Sequence, residues 1–361
     1  MALTQVDQGL LGTYAQYTGF KNRLINGSMV IDQRNAGASV TSGYPVDRFQ
    51  LELSQASKLT AQQNAGSVTP SVGFANYLGI TSSSAYAITS TDYFLLTQRI
   101  EGYNTADLQW GSANAKTVTL SFQVYSSLTG TFSGTLFNGS SNRGYVFQYT
   151  ISSANTWTPI SVTIAGDTTG TWNTTNGMGI AVRFCLGSGS TRLSSSGSWS
   201  STVYDGVTGT TSVVGTNGAT FYITGIQLEK GSTATSFDYR PYGTELALCQ
   251  RYYWKLQAPD GSTRFGHGLN ISTTQGRTMI NFPVPMRAPP TSLEQSGTAA
   301  DYRVMAGAGV STTLSTVLTF DTSNIYLATV TPTVASGLTG GGYHHLMANN
   351  TNAYVAFPAE L

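Results

Sequence analysis

The sequence has little charge and few of the residues that build catalytic or metal sites. Of its 361 residues only 10% are charged, 2 are cysteines and 3 are histidines, and the net charge is +1. Ordinary globular proteins carry roughly 25% charged residues. The sequence contains no basic block, which argues against nucleic acid or an anionic membrane as a partner. It also contains no run of about 18 apolar residues, so it predicts no membrane-spanning helix.

Catalytic and targeting signatures are missing as well. There is no phosphate loop, dinucleotide fingerprint, HExxH helix or GxSxG elbow. The first residues lack a basic start followed by an apolar core, so no Sec signal is predicted. Cys185 and Cys249 are too few for a disulfide framework or a cysteine-based zinc site. We expect Cys185 to be a small core residue of an apolar strand.

Carboxylates are too scarce to suggest a catalytic pair. A glycosidase needs two carboxyl groups facing one bond, roughly 5–10 Å apart, and no spacing here pairs any two. We expect the following five to be turn formers, salt-bridge partners or calcium ligands: Asp92, Glu101, Asp107, Asp167 and Asp205. The sequence therefore predicts a protein that is not an enzyme.

What the sequence does contain is typical of short strands joined by tight turns. It has 40 glycines, 20 tyrosines and 15 phenylalanines, and 40% of its residues are hydrophobic. Residues 117–125 alternate strictly, which places Val118, Leu120, Phe122 and Val124 on one face. Similar runs at 145–151, 157–164 and 178–184 are separated by turn residues. The pattern predicts an all-β fold, a jelly-roll β-sandwich.

The chain changes character near residue 243. An apolar strand, a charged turn and an arm carrying Phe237, Tyr239 and Tyr242 are followed by the stop Pro241–Gly243 and a new segment from Glu245. The predicted domains are an extended or weakly helical N-terminal segment, 1–23, a jelly roll, 24–243, and a smaller C-terminal β-sandwich, 244–361. The jelly roll should open with a strand at 24–32, kinked at Asn26-Gly27.

Several motifs resemble one known family. NGSMVIDQR, KTVTLSFQVYSS, GIQLEKGS, RPYG and ELALCQRYY, within residues 22 to 253, resemble the carbohydrate-binding-module-like jelly roll of bacteriophage tail-fibre and other virion surface proteins. FPVPMRAPP and AYVAFPAEL resemble the C-terminal domain that often follows it. The resemblance implies a homotrimeric virion protein, made in the host cytoplasm and released by lysis, whose C-terminal domain trimerises and forms the receptor-binding tip.

The first 23 residues have two interpretations. They are either a disordered tail or short pre-strand, or a peptide that orders when it docks into another virion protein. The apolar and aromatic residues available for such docking are Leu3, Val6, Leu10, Leu11 and Tyr14.

Sugar binding usually needs an aromatic plane with polar groups beside it. Trp110, Trp172 and Trp199 lie in polar, loop-like segments, and Tyr343 and His344 lie in a glycine-rich one. These five are the candidate glycan contacts, and ordinary packing is the alternative for each. Trp157, at the start of an alternating strand, is predicted to be core. Successive side chains such as His344 and His345 point to opposite faces of a strand, which disfavours a shared metal.

The predicted function is multivalent adsorption to host surface glycans by a non-enzymatic tail fibre or receptor-binding protein. One alternative is a capsid head fibre or decoration protein, and another is a polysaccharide depolymerase tailspike. No cofactor is expected, although jelly-roll modules of this resemblance often hold one structural Ca²⁺ on oxygen ligands. Its ligands cannot be assigned from the sequence.

Overall fold

The computed structural model describes residues 20–307 and 309–361. These residues are almost entirely strand and loop, so the predicted all-β fold is confirmed. The chain divides after Tyr242 into two compact units, and the second comprises Gly243–Glu360. The predicted docking residues Leu3, Val6, Leu10, Leu11 and Tyr14 lie outside the described residues. Asn22 and Arg23, at the end of the predicted N-terminal segment, are buried in the first unit.

The first unit consists of strands joined by loops and short 3-10 turns. Its strands are β1 (Gly43–Val46), β2 (Phe49–Leu53), β3 (Leu59–Gln63), β4 (Leu78–Ser82), β5 (Tyr93–Glu101), β6 (Val118–Ser126), β7 (Gly130–Asn138), β8 (Gly144–Ile151), β9 (Thr158–Ile164), β10 (Met178–Ser188), β11 (Leu193–Ser194), β12 (Trp199–Ser200), β13 (Gly206–Val207) and β14 (Thr220–Lys230). The 3-10 turns are Ala65–Ser67, Gly102–Asn104, Ala106–Leu108 and Ser190–Arg192.

Two antiparallel sheets form the sandwich. One has seven strands in the order β1-β2-β5-β10-β7-β8-β12, and the other has five in the order β3-β4-β14-β6-β9. The short strands β11 and β13 form a separate parallel pair. The non-consecutive order within each sheet means that the chain crosses repeatedly from one sheet to the other, as in a jelly roll.

The core lies between the two sheets, where the predicted alternation places it. Val118, Leu120, Phe122 and Val124 of β6 all point into it. The Phe122 ring meets the Phe184 ring of β10 edge to face at 5.2 Å, which ties one sheet to the other. Burying a side chain of this size stabilises the fold by about 1.5–3 kcal/mol. The same alternation leaves the outer face of each sheet free to carry other chemistry.

The strand predicted at 24–32 is wrong. This segment is irregular because Asn26 and Met29 have φ angles of 61° and 59°, in the left-handed region. Side chains satisfy its backbone in place of a strand partner. The Gln98 side chain accepts from the Ile25 amide at 2.8 Å, and the Asn26 side chain accepts from the Ile31 amide at 2.9 Å.

The second unit begins beside α1 (Tyr242–Gln250), the one α-helix of the described residues. The sequence analysis missed this helix, although Glu245, Leu246, Ala247 and Leu248 all favour helices and Pro241 precedes its first residue. No described helix has both the length and the apolar character needed to span a membrane.

The strands of the second unit follow the helix. They are β15 (Tyr253–Gln257), β16 (Arg264–Asn270), β17 (Gly276–Asn281), β18 (Glu294–Gln295), β19 (Tyr302–Ala306), β20 (Val310–Ser323), β21 (Leu327–Val334), β22 (Tyr343–Ala348) and β23 (Tyr354–Pro358). A 3-10 turn, Ala299–Asp301, precedes β19.

Six of these strands close into a barrel in the order β16-β17-β21-β20-β19-β22, and β15, β23 and β18 form a separate sheet. The closure differs from the two-sheet sandwich predicted for this part of the chain. β22 pairs with both β16 and β19 and so leaves no free edge. The pairing of the long strand β20 with β21 shifts register three times, and such bulges bend a sheet toward closure.

Candidate functional site

A groove of about 450 Å³ lies on the outer face of the five-stranded sheet. Its floor is formed by outward-facing residues of β6 and β9, which pair Ser121 with Ser161 and Gln123 with Pro159. The Ser121, Gln123 and Ser161 side chains make no hydrogen bond to any described residue. They are therefore available to a ligand.

Aromatic rings form one wall of the groove. Phe74, Phe237 and Tyr239 pack together with centroid separations of 4.8 to 5.6 Å. Tyr239 is 58% exposed, and its hydroxyl donates to the Gly73 carbonyl. The Phe74 ring lies so close to Gly225 that a Cβ there would be 2.5 Å from it. Gly225 also has a φ of 63°, so glycine is required at this position on two grounds.

The wall is held in place from below by buried polar side chains of β14. The Glu229 carboxylate accepts from the amide and the hydroxyl of Thr235, at 2.8 and 2.6 Å. The Gln227 side chain accepts from the Asp238 amide at 2.8 Å. Because these bonds fix the segment that carries Phe237 and Tyr239, the two rings are positioned before any ligand arrives.

A row of four aromatic residues occupies another part of the same outer face. Tyr222 stacks on Tyr77 at 5.2 Å and on Tyr125 at 5.4 Å, and Tyr125 meets Trp157 at 5.6 Å. Burial raises the pKa of Tyr77 and of Tyr222. Trp157 is half-buried outside the sandwich core, and its indole donates to the Thr69 carbonyl at 2.9 Å. The prediction that Trp157 is core is therefore wrong.

The three predicted tryptophans come together, but they do so by packing against one another. Trp110, Trp172 and Trp199 meet edge to face, with centroids 4.7 to 5.4 Å apart. Each indole N–H donates to a backbone carbonyl, and Trp110 and Trp172 are only 9% exposed. This packing gives no support to their role as glycan contacts, which stays a prediction.

The two predicted residues of the second unit lie in contrasting surroundings on β22. Tyr343 is 79% exposed, whereas His344 is 2% exposed. The His344 ring nitrogens lie 2.7 Å from the Thr278 hydroxyl and 2.9 Å from the Asn270 side-chain oxygen. Burial, with smaller contributions from His345 and His267, lowers the pKa of His344 to about 4. Its buried ring gives the glycan prediction no support, and that role stays a prediction.

The alternation predicted for His344 and His345 is confirmed, since His344 is buried and His345 exposed. In residues 20–307 and 309–361, no three His, Cys, Asp or Glu side chains are placed to hold a metal ion together. The structural Ca²⁺ implied by the resemblance stays a prediction without assigned ligands.

The carboxylates singled out in the sequence have structural partners. Asp107 pairs with Arg23, Asp167 with Arg143, and Asp205 with two arginines. Asp92 accepts five hydrogen bonds, and those from the Thr89 amide and hydroxyl contribute most to holding its pKa well below the usual range.

Sequence reasoning missed the groove as a site. Phe237 and Tyr239 had been noted only as part of an extended arm, and Phe74 had not been noted at all. A signal was present in β6, because the residues between its core positions include Ser121 and Gln123. Uncharged polar residues at the outward positions of a strand indicate a face able to form hydrogen bonds.

Known proteins resemble part of this chain in structure only. No protein-family model and no curated protein sequence matches it. The enzymatically active domain of tailspike protein 4 of bacteriophage CBA120 is 12% identical with a TM-score of 0.33, and the match covers 58% of this chain and 21% of that one.

Two carbohydrate-binding modules are similar over a comparable part. TmCBM61, solved with β-1,4-galactotriose, is 9% identical with a TM-score of 0.32, and the match covers 58% of this chain and 99% of that one. The family 11 module of a cellulosomal cellulase of Clostridium thermocellum is 10% identical with a TM-score of 0.28, covering 56% and 98%. At these identities and scores the likenesses define neither a family nor a ligand for this chain.

Proposed function

We propose that this protein is a non-enzymatic bacteriophage virion fibre that binds host surface glycans through the groove on its five-stranded sheet. The observation that carries the proposal is the groove itself. It sets the rings of Phe74, Phe237 and Tyr239 beside the unpaired polar side chains of Ser121, Gln123 and Ser161.

These two kinds of surface match the two kinds of surface on a sugar. A pyranose ring has an apolar C–H face, which gains from burial against an aromatic ring. Its hydroxyl edge needs donors and acceptors, and amide and hydroxyl side chains offer both. None of the groove-lining side chains in the described part of the chain is charged. The groove therefore suits an uncharged saccharide.

The motifs that resemble phage jelly rolls support the virion assignment. A fibre of this kind acts in several copies, because one sugar site is weak and linked sites raise avidity by roughly 10²–10⁴. We propose a homotrimer formed by the second unit. Its barrel exposes Leu269 and Tyr343, which face each other across β16 and β22, and also Met279 of β17. Exposed apolar residues on adjacent strands are typical of an interaction surface.

The groove can be tested on the full-length protein with immobilised bacterial surface polysaccharides. Tyr239→Ala and Gln123→Ala should each lower the affinity for a bound neutral glycan about 10-fold, which is about 1.4 kcal/mol. Tyr103→Ala is the matched control, because Tyr103 is 62% exposed in the same unit and does not line the groove. Equal affinities for all four proteins would overturn the assignment of the groove.

The virion role needs separate measurements. Purified protein should compete with virions for adsorption to host cells, and an antibody against it should label tails. Labelling of the capsid alone would favour a head fibre or decoration protein. Release of reducing ends from host polysaccharide, abolished by changing one carboxylate, would favour a depolymerase. Light scattering should give a trimer for the full chain and a monomer for a chain ending at Gly243.

A further inference from the structure

The outer face of the seven-stranded sheet holds a second, larger depression of about 700 Å³. Its lining includes Gln50 and Glu52 of β2, Tyr93 of β5, Arg183 of β10 and Arg192. This volume lies within the range of roughly 300–1,000 Å³ that is typical of small-molecule sites. We call it the arginine cleft, to distinguish it from the groove on the other sheet.

The arginine cleft occupies the part of the sheet that a neighbouring segment leaves open. Residues 204–211 lie over β7 and are fixed there by hydroxyl groups. Thr135 donates to the Tyr204 carbonyl at 2.5 Å, and the Val207 amide donates to Ser133 at 3.1 Å. This covering segment also supplies Asp205, which is only 1% exposed at its side chain.

A network of ion pairs forms the floor of the cleft. Glu52 accepts from Arg99 and, at 3.3 Å, from Arg183. Asp205 accepts from Arg183 at 2.9 Å and from Arg192 at 2.5 Å. Three guanidinium groups thus share two carboxylates, which leaves one positive charge. Because Asp205 is buried and the Arg192 side chain is 35% exposed, the positive charge lies on the solvent side.

The cleft also has more unused donors than its own acceptors satisfy. Two nitrogens of Arg192 bond to Asp205, and its third makes no hydrogen bond to the described residues. The same is true of the Gln50 amide nitrogen and the Tyr93 hydroxyl. The Arg192 guanidinium lies 4.6 Å from the centre of the Tyr93 ring, so a stacking contact and an ion pair both hold it in position.

We propose that the arginine cleft binds a saccharide that carries carboxylate groups, such as a uronic acid oligomer. A carboxylate supplies the acceptors and the negative charge that the cleft lacks, and it matches the planar fork of a guanidinium. The sugar hydroxyls reach Gln50 and the Tyr93 hydroxyl. The choice of a saccharide rests on the proposed glycan-binding function, whereas the choice of an anion rests on this network alone.

The two sites should therefore differ in the charge of their ligands. The groove lining carries no charged side chain in the described residues, while the cleft lining carries Glu52, Arg183 and Arg192. One jelly roll would then read two features of a host polysaccharide, its neutral sugars and its acidic ones. Two weak sites on one chain would raise the overall affinity through effective concentration.

The test uses the full-length protein and calorimetry with two pairs of probes. Hexagalacturonate and hexamannuronate are the acidic probes, and their fully methyl-esterified forms are neutral controls of the same backbone. Wild type should bind at least one acid about 10-fold more tightly than its ester. Arg192→Gln should lose that difference, and Arg192→Lys should regain part of it. Equal binding of acid and ester, or binding of neither acid, would overturn the proposal.

Further arms separate this proposal from weaker explanations. Tyr239→Ala should leave the acidic probes unaffected, so failure of the groove and failure of the cleft are distinguishable. Inorganic sulfate that displaces the acids at an equal concentration of charge would indicate an adventitious ion only and would overturn the saccharide assignment. A thermal unfolding curve for each variant checks that the first unit remains folded. Unchanged acid binding in a folded Arg192→Gln protein would also count against the cleft.

Discussion

The two outer faces of the sandwich share one core and yet differ in almost every chemical respect. The groove on the five-stranded sheet is built from rings and uncharged polar groups, whereas the arginine cleft is built from ion pairs. Both floors consist of outward-facing strand residues, such as Gln123 of β6 and Arg183 of β10. Their neighbours Phe122 and Phe184 pack against each other in the core.

This difference shows how a sandwich separates stability from recognition. Because side chains alternate along a strand, residues that bind can change while residues that pack remain. Each face also uses a covering segment to shape its site, residues 232–239 on one sheet and 204–211 on the other. The first is held by Glu229 and Gln227, and the second by hydroxyl groups of β7. The predictions below exploit these contrasts.

The largest effect should come from Asp205→Asn. A neutral amide cannot balance Arg183 and Arg192, and removing one partner of a buried ion pair typically costs about 3–5 kcal/mol. We expect the free energy of unfolding of the first unit to fall by about 3 kcal/mol, with loss of the acidic-glycan site. Urea unfolding followed by tryptophan fluorescence measures it. The control Asp107→Asn, at a side chain 51% exposed, should cost below about 1 kcal/mol.

A smaller loss of stability should follow from Gly225→Ala, which attacks the other face. The new methyl group would meet the Phe74 ring, and the φ of 63° strains any side chain. We expect a loss of about 1–2 kcal/mol and weaker binding of neutral glycans, with acidic-glycan binding unchanged. Gly197→Ala is the control, because Gly197 also has a positive φ but open space around it. Similar behaviour of the two variants would refute the role of the Phe74 contact.

Salt should separate the two sites without any mutation. The Debye length falls from about 10 Å at 0.1 M to about 3 Å at 1 M ionic strength. Over that range we expect the affinity for hexagalacturonate to drop about 5-fold, or about 1 kcal/mol. Neutral-glycan affinity should stay within about 2-fold, since no charge lines the groove. Parallel titrations measure both, and an equal response would contradict the contrast.

How much of these sites the sequence could predict depends on the range of the interactions. The alternation in β6 is local, so its core residues were identified correctly. The aromatic wall is not local, because Phe74 and Tyr239 meet only after the chain has passed through both sheets. Arg183 and Glu52 lie 131 residues apart, so their pairing left no signal in spacing. Trp157 was misplaced because it precedes the strand whose pattern was extended to include it.

The smallest effect concerns Cys185, whose thiol is buried beneath the segment that covers the seven-stranded sheet. Burial raises its pKa to about 11, so at pH 8 only about one molecule in 1,000 carries the reactive thiolate. In a Cys249→Ser background, Ellman's reagent should leave the folded protein unlabelled for hours and label it within seconds in denaturant. Ser188 bonds both the Cys185 sulfur, at 3.5 Å, and Asp205, at 3.2 Å. Adding Asp205→Asn should therefore loosen the cover and make labelling measurable, whereas adding Gly225→Ala, on the other face, should not. Rapid labelling without either change would show that the cover opens freely, and the arginine cleft would then lack a fixed Asp205.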